Sequence, residues 1–199
     1  MDQSVDWVSA SAMRNYVLRD PLLDWLDLHG EASGFERDPL DPRTDFDSFV
    51  ARKGREFEGA VIQHLGGLGV GEVYQVADDE GVARDRCSDV AVEATLAAMR
   101  RRAPLVARGA LQDVESRTFG FPDLLVRSDV LVRLFPGAAT YCLATAPAPG
   151  LGLKECHYVV VDIKFLTLDL SASGGLTNSG SNPAYKVQLF VYNRALGAL

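Results

Sequence analysis

The fold prediction for this chain starts from Tyr158–Phe165, which reads YVVVDIKF. The run is apolar and rich in β-branched residues, so it predicts a strand buried in a sheet. Side chains alternate between the two faces of a strand, so Asp162 and Lys164 share one face and Ile163 points to the other. Charged groups in such apolar surroundings need partners, a metal ion or an altered protonation state. The stretch therefore predicts both a core strand and a functional site.

Two other segments carry polar residues that could converge on this strand. Asp123 follows Pro122 at the start of an apolar run, and a helix-forming segment near the C-terminus holds Gln188 and Tyr192. The spacing of Gln188 and Tyr192 places one above the other on the same helix face. Taken singly, these signals have ordinary structural interpretations: a surface ion pair, a turn, and a helix face packed on a sheet. Only their combination, in this order and on these predicted strands and helices, indicates a functional site.

Periodicity, caps and breakers predict the elements around this strand. In chain order these are helices ending at Leu18 and Gly30, a loop over 31–43, a helix over 45–65, a strand over 72–76, a helix over 88–102, apolar runs over 104–111 and 119–126, a strand over 156–165, and a helix opened by Asn182 as cap and Pro183. The two apolar runs fit an antiparallel hairpin or meander. The mixed order indicates an α/β fold built on a central sheet.

Length, charge and cysteine content limit the class of protein. The chain has 199 residues, enough for one substantial core, and its formal net charge is −7. The cysteines, Cys87, Cys142 and Cys156, form no C-x-x-C pair, which argues against a disulfide framework or a zinc or iron–sulfur site. The sequence shows no membrane-spanning run and no signal peptide, so we expect a cytoplasmic protein without a membrane partner.

The acidic balance argues mildly against a broad nucleic-acid-binding surface, since Lys and Arg make most phosphate contacts. The positive charges are nevertheless clustered, at 52–55, 84–86 and 100–102. Each cluster alone is most simply a solvated helix end or loop. The alternative is local basic ground, which Arg108 and other arginines could join through the fold.

In this order, the polar residues resemble motifs II, III and IV of the PD-(D/E)XK nuclease superfamily, specifically its RecB-like branch. The matching residues are Asp123 after a Gly-x-Pro, the Asp162-x-Lys164 strand and the Gln188-x-x-x-Tyr192 helix. The resemblance covers about Lys53–Leu199 and implies a restriction-endonuclease-like α-β-β-β-α-β core, a central mixed sheet flanked by helices. It implies a nuclease-like domain at 45–199 and an N-terminal helical lead-in with its loop at 1–44. Relatives usually continue beyond the Gln188 helix, so a truncated domain of a larger protein is expected.

The resemblance also implies an activity, a cofactor and roles for the site residues. It implies a Mg²⁺- or Mn²⁺-dependent deoxyribonuclease, because hard cations prefer oxygen ligands and activate water against phosphodiesters. The implied ligands are Asp123, Asp162, Glu58 directly or through water, and the Ile163 backbone carbonyl. Lys164 would orient the attacking water, stabilise the transition state or act as a base. Gln188 and Tyr192 would position substrate and brace the site.

Two glutamates compete for the ligand position on the 45–65 helix, and the helical wheel separates them. Glu58 lies on the flank of the apolar stripe, whereas Glu56 lies with Arg52 and Lys53. Glu58 is therefore the predicted ligand and Glu56 an exposed partner of the basic residues. The candidate contacts to nucleic acid are Arg52, Lys53, Arg55 and Lys186.

Three functions remain open at this level. The first is the metal-dependent DNA nuclease, within a larger repair, recombination or phage-defence protein that could include a helicase. The second is an inactive nucleic-acid-binding or assembly module on the same fold, which the acidic balance and the expected truncation favour. The third is a phosphohydrolase of small nucleotides. Fold resemblance does not choose among them.

Overall fold

The computed structural model describes residues 7–36, 46–76, 88–140 and 144–199. Three sets of predictions concern residues outside these ranges: the basic cluster at 84–86, Cys87 and Cys142, and the part of the predicted loop at 37–43. Cys156 is described and is a buried free thiol.

Within these ranges the chain forms seven strands and six α-helices. The strands are β1 (Val8–Ser9), β2 (Val73–Gln75), β3 (Leu105–Ala107), β4 (Leu111–Asp113), β5 (Thr118–Gly120), β6 (Leu124–Arg127) and β7 (Tyr158–Val161). The helices are α1 (Met13–Val17), α2 (Pro21–His29), α3 (Phe46–Gly67), α4 (Asp89–Arg100), α5 (Ser128–Leu134) and α6 (Asn182–Gly197). Short 3-10 helices lie at Glu31–Ser33, Pro136–Thr140 and Pro149–Leu151. None of the described helices is both long and apolar enough to cross a bilayer.

The larger sheet has the order β2-β3-β6-β7 and is mixed. β2 and β3 are parallel, and β6 pairs antiparallel with both β3 and β7. A crossover is needed to join parallel neighbours, and α4 lies between β2 and β3 in the chain. The predicted α/β class, with mixed sheets flanked by helices, is confirmed.

Helices cover both faces of this sheet because its central strands are apolar on both sides. On one face, Leu105 and Leu124 pack with Leu65 of α3 and with α5. On the other face, Val106 and Leu125 pack in one cluster with residues of α4 and α6. The strand alternation thus places α3 and α6, the two helices with predicted site residues, on opposite sides of one sheet.

The predicted hairpin bends and contributes to two sheets. Its inner half pairs β3 with β6, and its outer half pairs β4 with β5. The outer half joins β1 in a second sheet of order β1-β5-β4. The bend falls at Arg108–Ala110, where Arg108 has a positive φ of 53° and buried Thr95 accepts a hydrogen bond from the Ala110 N–H. The hairpin was predicted correctly, and the bend was not.

Two local predictions need correction, and one strand was missed. β7 ends at Val161, so Asp162 and Lys164 follow the strand instead of lying within it. The residue that caps α6 is Ser181, and Asn182 is already helical, with its amide donating to the Asp169 carbonyl and Thr177 Oγ1. β1 was not predicted, because a two-residue strand carries too little pattern to be recognised.

Candidate functional site

The candidate site lies at one end of the larger sheet, where β3 and β7 end and β6 begins. Ala107 pairs with Leu124, and Leu124 pairs with Val161. Continuing this register by one residue brings Arg108, Asp123 and Asp162 side by side. The Arg108 backbone N–H donates to the Asp123 carbonyl at 3.0 Å, in agreement with that register. Two of the predicted acids are therefore neighbours across adjacent strands.

Lys164 connects the end of β7 to α6. Its ammonium lies 2.7 Å from Asp162 Oδ2 and donates to Gln188 Oε1 at 3.2 Å. The Asp162 side chain is only 6% exposed and that of Lys164 22%. The ammonium also lies 5.3 Å from the centre of the Tyr185 ring. Asp162 and Lys164 share one side, as the alternation predicted, although the strand has ended.

A chain of hydrogen bonds continues from Lys164 along α6. Gln188 Nε2 donates to the Tyr192 hydroxyl at 2.7 Å, and this hydroxyl donates to the Phe121 carbonyl at 3.3 Å. Burial raises the pKa of Tyr192, opposed by the Gln188 hydrogen bond and reinforced by Asp162 and Asp123, so the phenol stays protonated. Each group therefore has a fixed role as donor or acceptor, which fixes the direction of the Lys164 ammonium.

A glycine permits this close approach of α6 to the hairpin. A Cβ atom at Gly120 would collide with the Tyr192 ring. Gly120 is the glycine of the Gly-x-Pro that precedes Asp123. A larger residue here would displace the ring and, with it, the hydrogen bond to Phe121.

Asp123 has an environment that disfavours its negative charge. Burial raises its pKa to about 7, and Asp162 adds to the rise through its charge and a carboxyl–carboxyl hydrogen bond. The charge of Glu58 acts in the same direction, while the Ile163 N–H, which donates to Asp123 Oδ2 at 2.6 Å, opposes it. The Asp123 carboxylate therefore has one close backbone donor and two acidic neighbours.

The two competing glutamates on α3 have the separate roles that the helical wheel indicated. Glu58 accepts from Arg108 Nε at 3.0 Å in a largely buried ion pair. Glu56 is exposed and pairs with Arg52 at 3.1 Å and Lys53 at 2.6 Å. This confirms the predicted partners of Glu56, and it shows Glu58 turned towards the sheet.

The candidate contacts to nucleic acid lie on exposed parts of α3 and α6. Arg55 is exposed on α3, one residue before Glu56. Lys186 is exposed on α6 and donates to Asn178 Oδ1 at 2.6 Å. Arg52 and Lys53 both pair with the carboxylate of Glu56, which partly neutralises their positive charge.

The predicted metal ligands are only partly grouped. In the described part of the chain, no set of three or more His, Cys, Asp or Glu side chains is arranged to hold a metal ion together. Asp123 and Asp162 contact each other, whereas Glu58 is directed to Arg108. The donors nevertheless fit a hard cation, because they are carboxylate oxygens and Asp123 has two acidic neighbours. The metal site remains a prediction.

Sequence reasoning did not identify Arg108 as the partner of Glu58. The signal was present in the hairpin, because its register places the residue after β3 opposite the residue before β6. The Phe121 carbonyl, which ends the hydrogen-bond chain, has no signal in the sequence, since it depends on where α6 packs.

A second buried aspartate, Asp113, lies at the outer end of the same hairpin. Its carboxylate accepts from the Ser116 hydroxyl at 2.6 Å, from Arg194 Nε at 2.6 Å, and from the N–H groups of Glu115 and Ser116. The Ser116 hydrogen bond, followed by that of Arg194, lowers the pKa of Asp113 to about 2. This cluster joins the β4–β5 turn to α6.

Comparison of this chain with known proteins found no matching family model, no matching curated protein and no matching solved structure. The functional argument therefore depends on the residues of the site itself.

Proposed function

We propose that this protein is a metal-dependent nuclease that hydrolyses phosphodiester bonds of DNA. The observation that carries the proposal is the arrangement of Asp123 and Asp162 at adjacent strand ends, with Lys164 held between Asp162 and Gln188. A carboxylate pair beside a directed ammonium suits a reaction in which a cation is bound and negative charge develops on phosphate.

The proposal assigns a role to each residue of the site. Asp123 and Asp162 would hold the cation, with Glu58 and the Ile163 carbonyl completing the ligands. Lys164 donates to two acceptors, so it acts as a cation that stabilises the phosphate or orients water, and not as a proton acceptor. Gln188 and Tyr192 hold Lys164 in place through their hydrogen bonds.

Mg²⁺ or Mn²⁺ is the cofactor that the donor set fits. When bound, such an ion lowers the pKa of a coordinated water and neutralises charge on the phosphate oxygens. The Asp123 carboxylate has acidic neighbours and a single close backbone donor, so a divalent cation at this position would relieve repulsion among the acids. The protein's contribution is to hold Asp123 and Asp162 close together in partly buried positions.

The proposal includes membership of the PD-(D/E)XK superfamily, in its RecB-like branch, with a restriction-endonuclease-like core in 45–199 after a helical lead-in at 1–44. The support is the order of Asp123, Asp162-x-Lys164 and Gln188-x-x-x-Tyr192, together with their contacts. The expected biological setting is repair, recombination or phage defence, with a helicase or another domain as partner.

The test is cleavage of DNA by the purified protein with Mg²⁺ or Mn²⁺ and with EDTA. Asp162→Ala and Lys164→Ala should each reduce cleavage by at least about a hundredfold, because each removes charge stabilisation from the transition state. Lys154→Ala, an exposed lysine ahead of β7, is the matched control and should cleave normally. Circular dichroism should show that all three variants are folded. Full cleavage by both site variants would reject the proposal.

A second candidate function is a nucleic-acid-binding module without catalysis. The observation in its favour is that protein cations already pair with two of the acids, Arg108 with Glu58 and Lys164 with Asp162. Mn²⁺ titration followed by thermal unfolding separates the two candidates. A nuclease should gain stability with Mn²⁺ in the wild type and lose that gain in Asp162→Ala. Salt-sensitive DNA binding without any Mn²⁺ effect would favour the module.

A further inference from the structure

Two aromatic rings from distant segments meet on the surface of the protein. The rings of Phe57 and Phe165 have centroids 5.6 Å apart and planes tilted by 47°. Phe57 is 41% exposed and Phe165 49% exposed. Both rings keep a large exposed fraction after this contact, so aromatic surface remains available to a ligand. The pair thus presents apolar faces to solvent.

The rings stand beside the candidate site. Phe57 immediately precedes Glu58 on α3, and Phe165 immediately follows Lys164. Each ring is therefore attached to a segment that also carries a site residue. A molecule that reaches the acids from this side would encounter both rings.

Basic residues continue from the rings along α3, where Arg52 and Lys53 share the single carboxylate of Glu56 and so keep a net positive charge. Phe49, Lys53 and Phe57 are spaced by four residues and share a helix face. The Arg52 guanidinium lies 5.4 Å from the centre of the Phe49 ring, and Phe49 is also exposed. Rings and cations therefore alternate over this part of the helix.

We propose that Phe57 and Phe165 form a stacking platform for unpaired bases, so that the site takes single-stranded DNA. This inference depends on the proposed function, and it adds the strandedness of the substrate. Proteins that bind single strands combine aromatic faces for the bases with cations for the backbone. Bases within a duplex are already stacked and offer no free face to such rings. The neighbouring cations on α3 favour this occupant over an apolar protein partner, which would not need them.

The test is the affinity for a short fluorescent oligothymidylate, measured with Ca²⁺ in place of Mg²⁺ so that binding is read without cleavage. Phe57→Ala and Phe165→Ala should each weaken binding by roughly tenfold, the usual scale of one base–aromatic stack. Affinity for a blunt duplex of the same length should stay unchanged. Phe165→Trp should keep the affinity, because the aromatic face is retained.

Two controls make the result specific. Phe135→Ala removes a ring of matched exposure, 47%. Phe135 directly follows α5, and α5 begins after the end of β6 that is farther from Asp123. This variant should bind like the wild type. An oligonucleotide of abasic residues should bind the wild type at least as weakly as oligothymidylate binds either alanine variant, since it keeps the phosphates and lacks the bases for both rings.

The outcomes separate this inference from the proposed nuclease. Unchanged oligonucleotide affinity in both alanine variants overturns the platform, and a lowered Tm in those variants would then identify a packing contact. Tighter binding to duplex than to single strand also overturns it. If the rings govern binding but no DNA is cleaved with Mg²⁺ or Mn²⁺, the nuclease is rejected and the platform is supported. If DNA is cleaved and the rings have no effect, the reverse holds.

Discussion

Asp113 and Asp123 lie on the same hairpin, and their surroundings shift their pKa values in opposite directions. Asp113, at the outer end, accepts hydrogen bonds from Ser116, Arg194 and two backbone N–H groups, and its pKa falls to about 2. The pKa of Asp123, which lies at the bend of the hairpin beside Arg108, is raised to about 7 by burial and by its acidic neighbours. Burial is the largest cause at Asp123 and acidic neighbours add to it, whereas at Asp113 the hydrogen bonds from Ser116 and Arg194 outweigh the effect of burial.

This contrast separates a structural carboxylate from a candidate ligand. The protein itself supplies Asp113 with donors and a cation, so nothing further is needed to stabilise its charge. Asp123 is supplied with one close N–H and faces Asp162 and Glu58. Carboxyl groups whose pKa is raised in this way, as at Asp123, are enriched at functional sites, although structural networks also perturb pKa values. The comparison can be tested by changing each aspartate in the same way.

The largest expected effect is on cleavage. Asp123→Asn should reduce Mg²⁺-dependent cleavage by about a hundredfold or more, because a neutral amide binds a hard cation poorly. Asp113→Asn should leave the cleavage rate of the folded protein close to that of the wild type and lower its Tm by several degrees. Rates would be measured at a temperature where both variants are folded. Equal losses of cleavage in the two variants would remove the distinction.

The next effect is on the pH dependence of stability, measured by thermal unfolding in EDTA. Asp113 titrates near 2 when folded and near 3.8 when unfolded, so its contribution is present above about pH 4 and is lost as the pH falls towards 2. Asp123 binds its proton more tightly when folded, so stability should decrease as the pH rises from about 4 to about 7.

The asparagine variants make these two slopes measurable. Asp113→Asn should flatten the acid-side decrease relative to the wild type, and Asp123→Asn should flatten the decrease between about pH 4 and 7. Slopes that are the same in the wild type and in both variants would show that neither aspartate has the environment described above.

The smallest effect distinguishes the two glutamates of α3. Glu58→Gln should reduce cleavage by roughly 10- to 100-fold, the usual cost of disturbing groups around a metal site, and should leave Arg108 without its carboxylate. Glu56→Gln should change neither cleavage nor Tm measurably, because its pairs are exposed and screened. Parallel cleavage and melting curves would check both. A stronger effect at Glu56 would contradict the assignment.

Features with a short-range cause could be predicted from the sequence. The long helix α3 follows from its apolar periodicity, and the pairing of Gln188 with Tyr192 follows from helical spacing. Asp162 and Lys164 were expected on one side by strand alternation, and they form an ion pair at 2.7 Å. In each case a few consecutive residues determine the outcome.

Features that depend on packing between distant segments could not be predicted. The bend at Arg108 depends on how α4 and Thr95 meet the hairpin, and the early end of β7 depends on where its neighbouring strand stops. The contact between Phe57 and Phe165 joins segments that no local pattern connects. Tertiary context decides such features, and a single sequence records it weakly.

Helix α6 carries residues of the candidate site and also a residue that holds the outer end of the hairpin. Gln188 and Tyr192 on it hold Lys164, and Arg194, little more than half a turn beyond Tyr192, neutralises Asp113. Mutations that reshape this helix to retune the chemistry will also alter the anchorage of the outer sheet. Any attempt to engineer the activity of this protein will therefore encounter a trade-off with its robustness, which second-site changes on the β4–β5 turn could compensate.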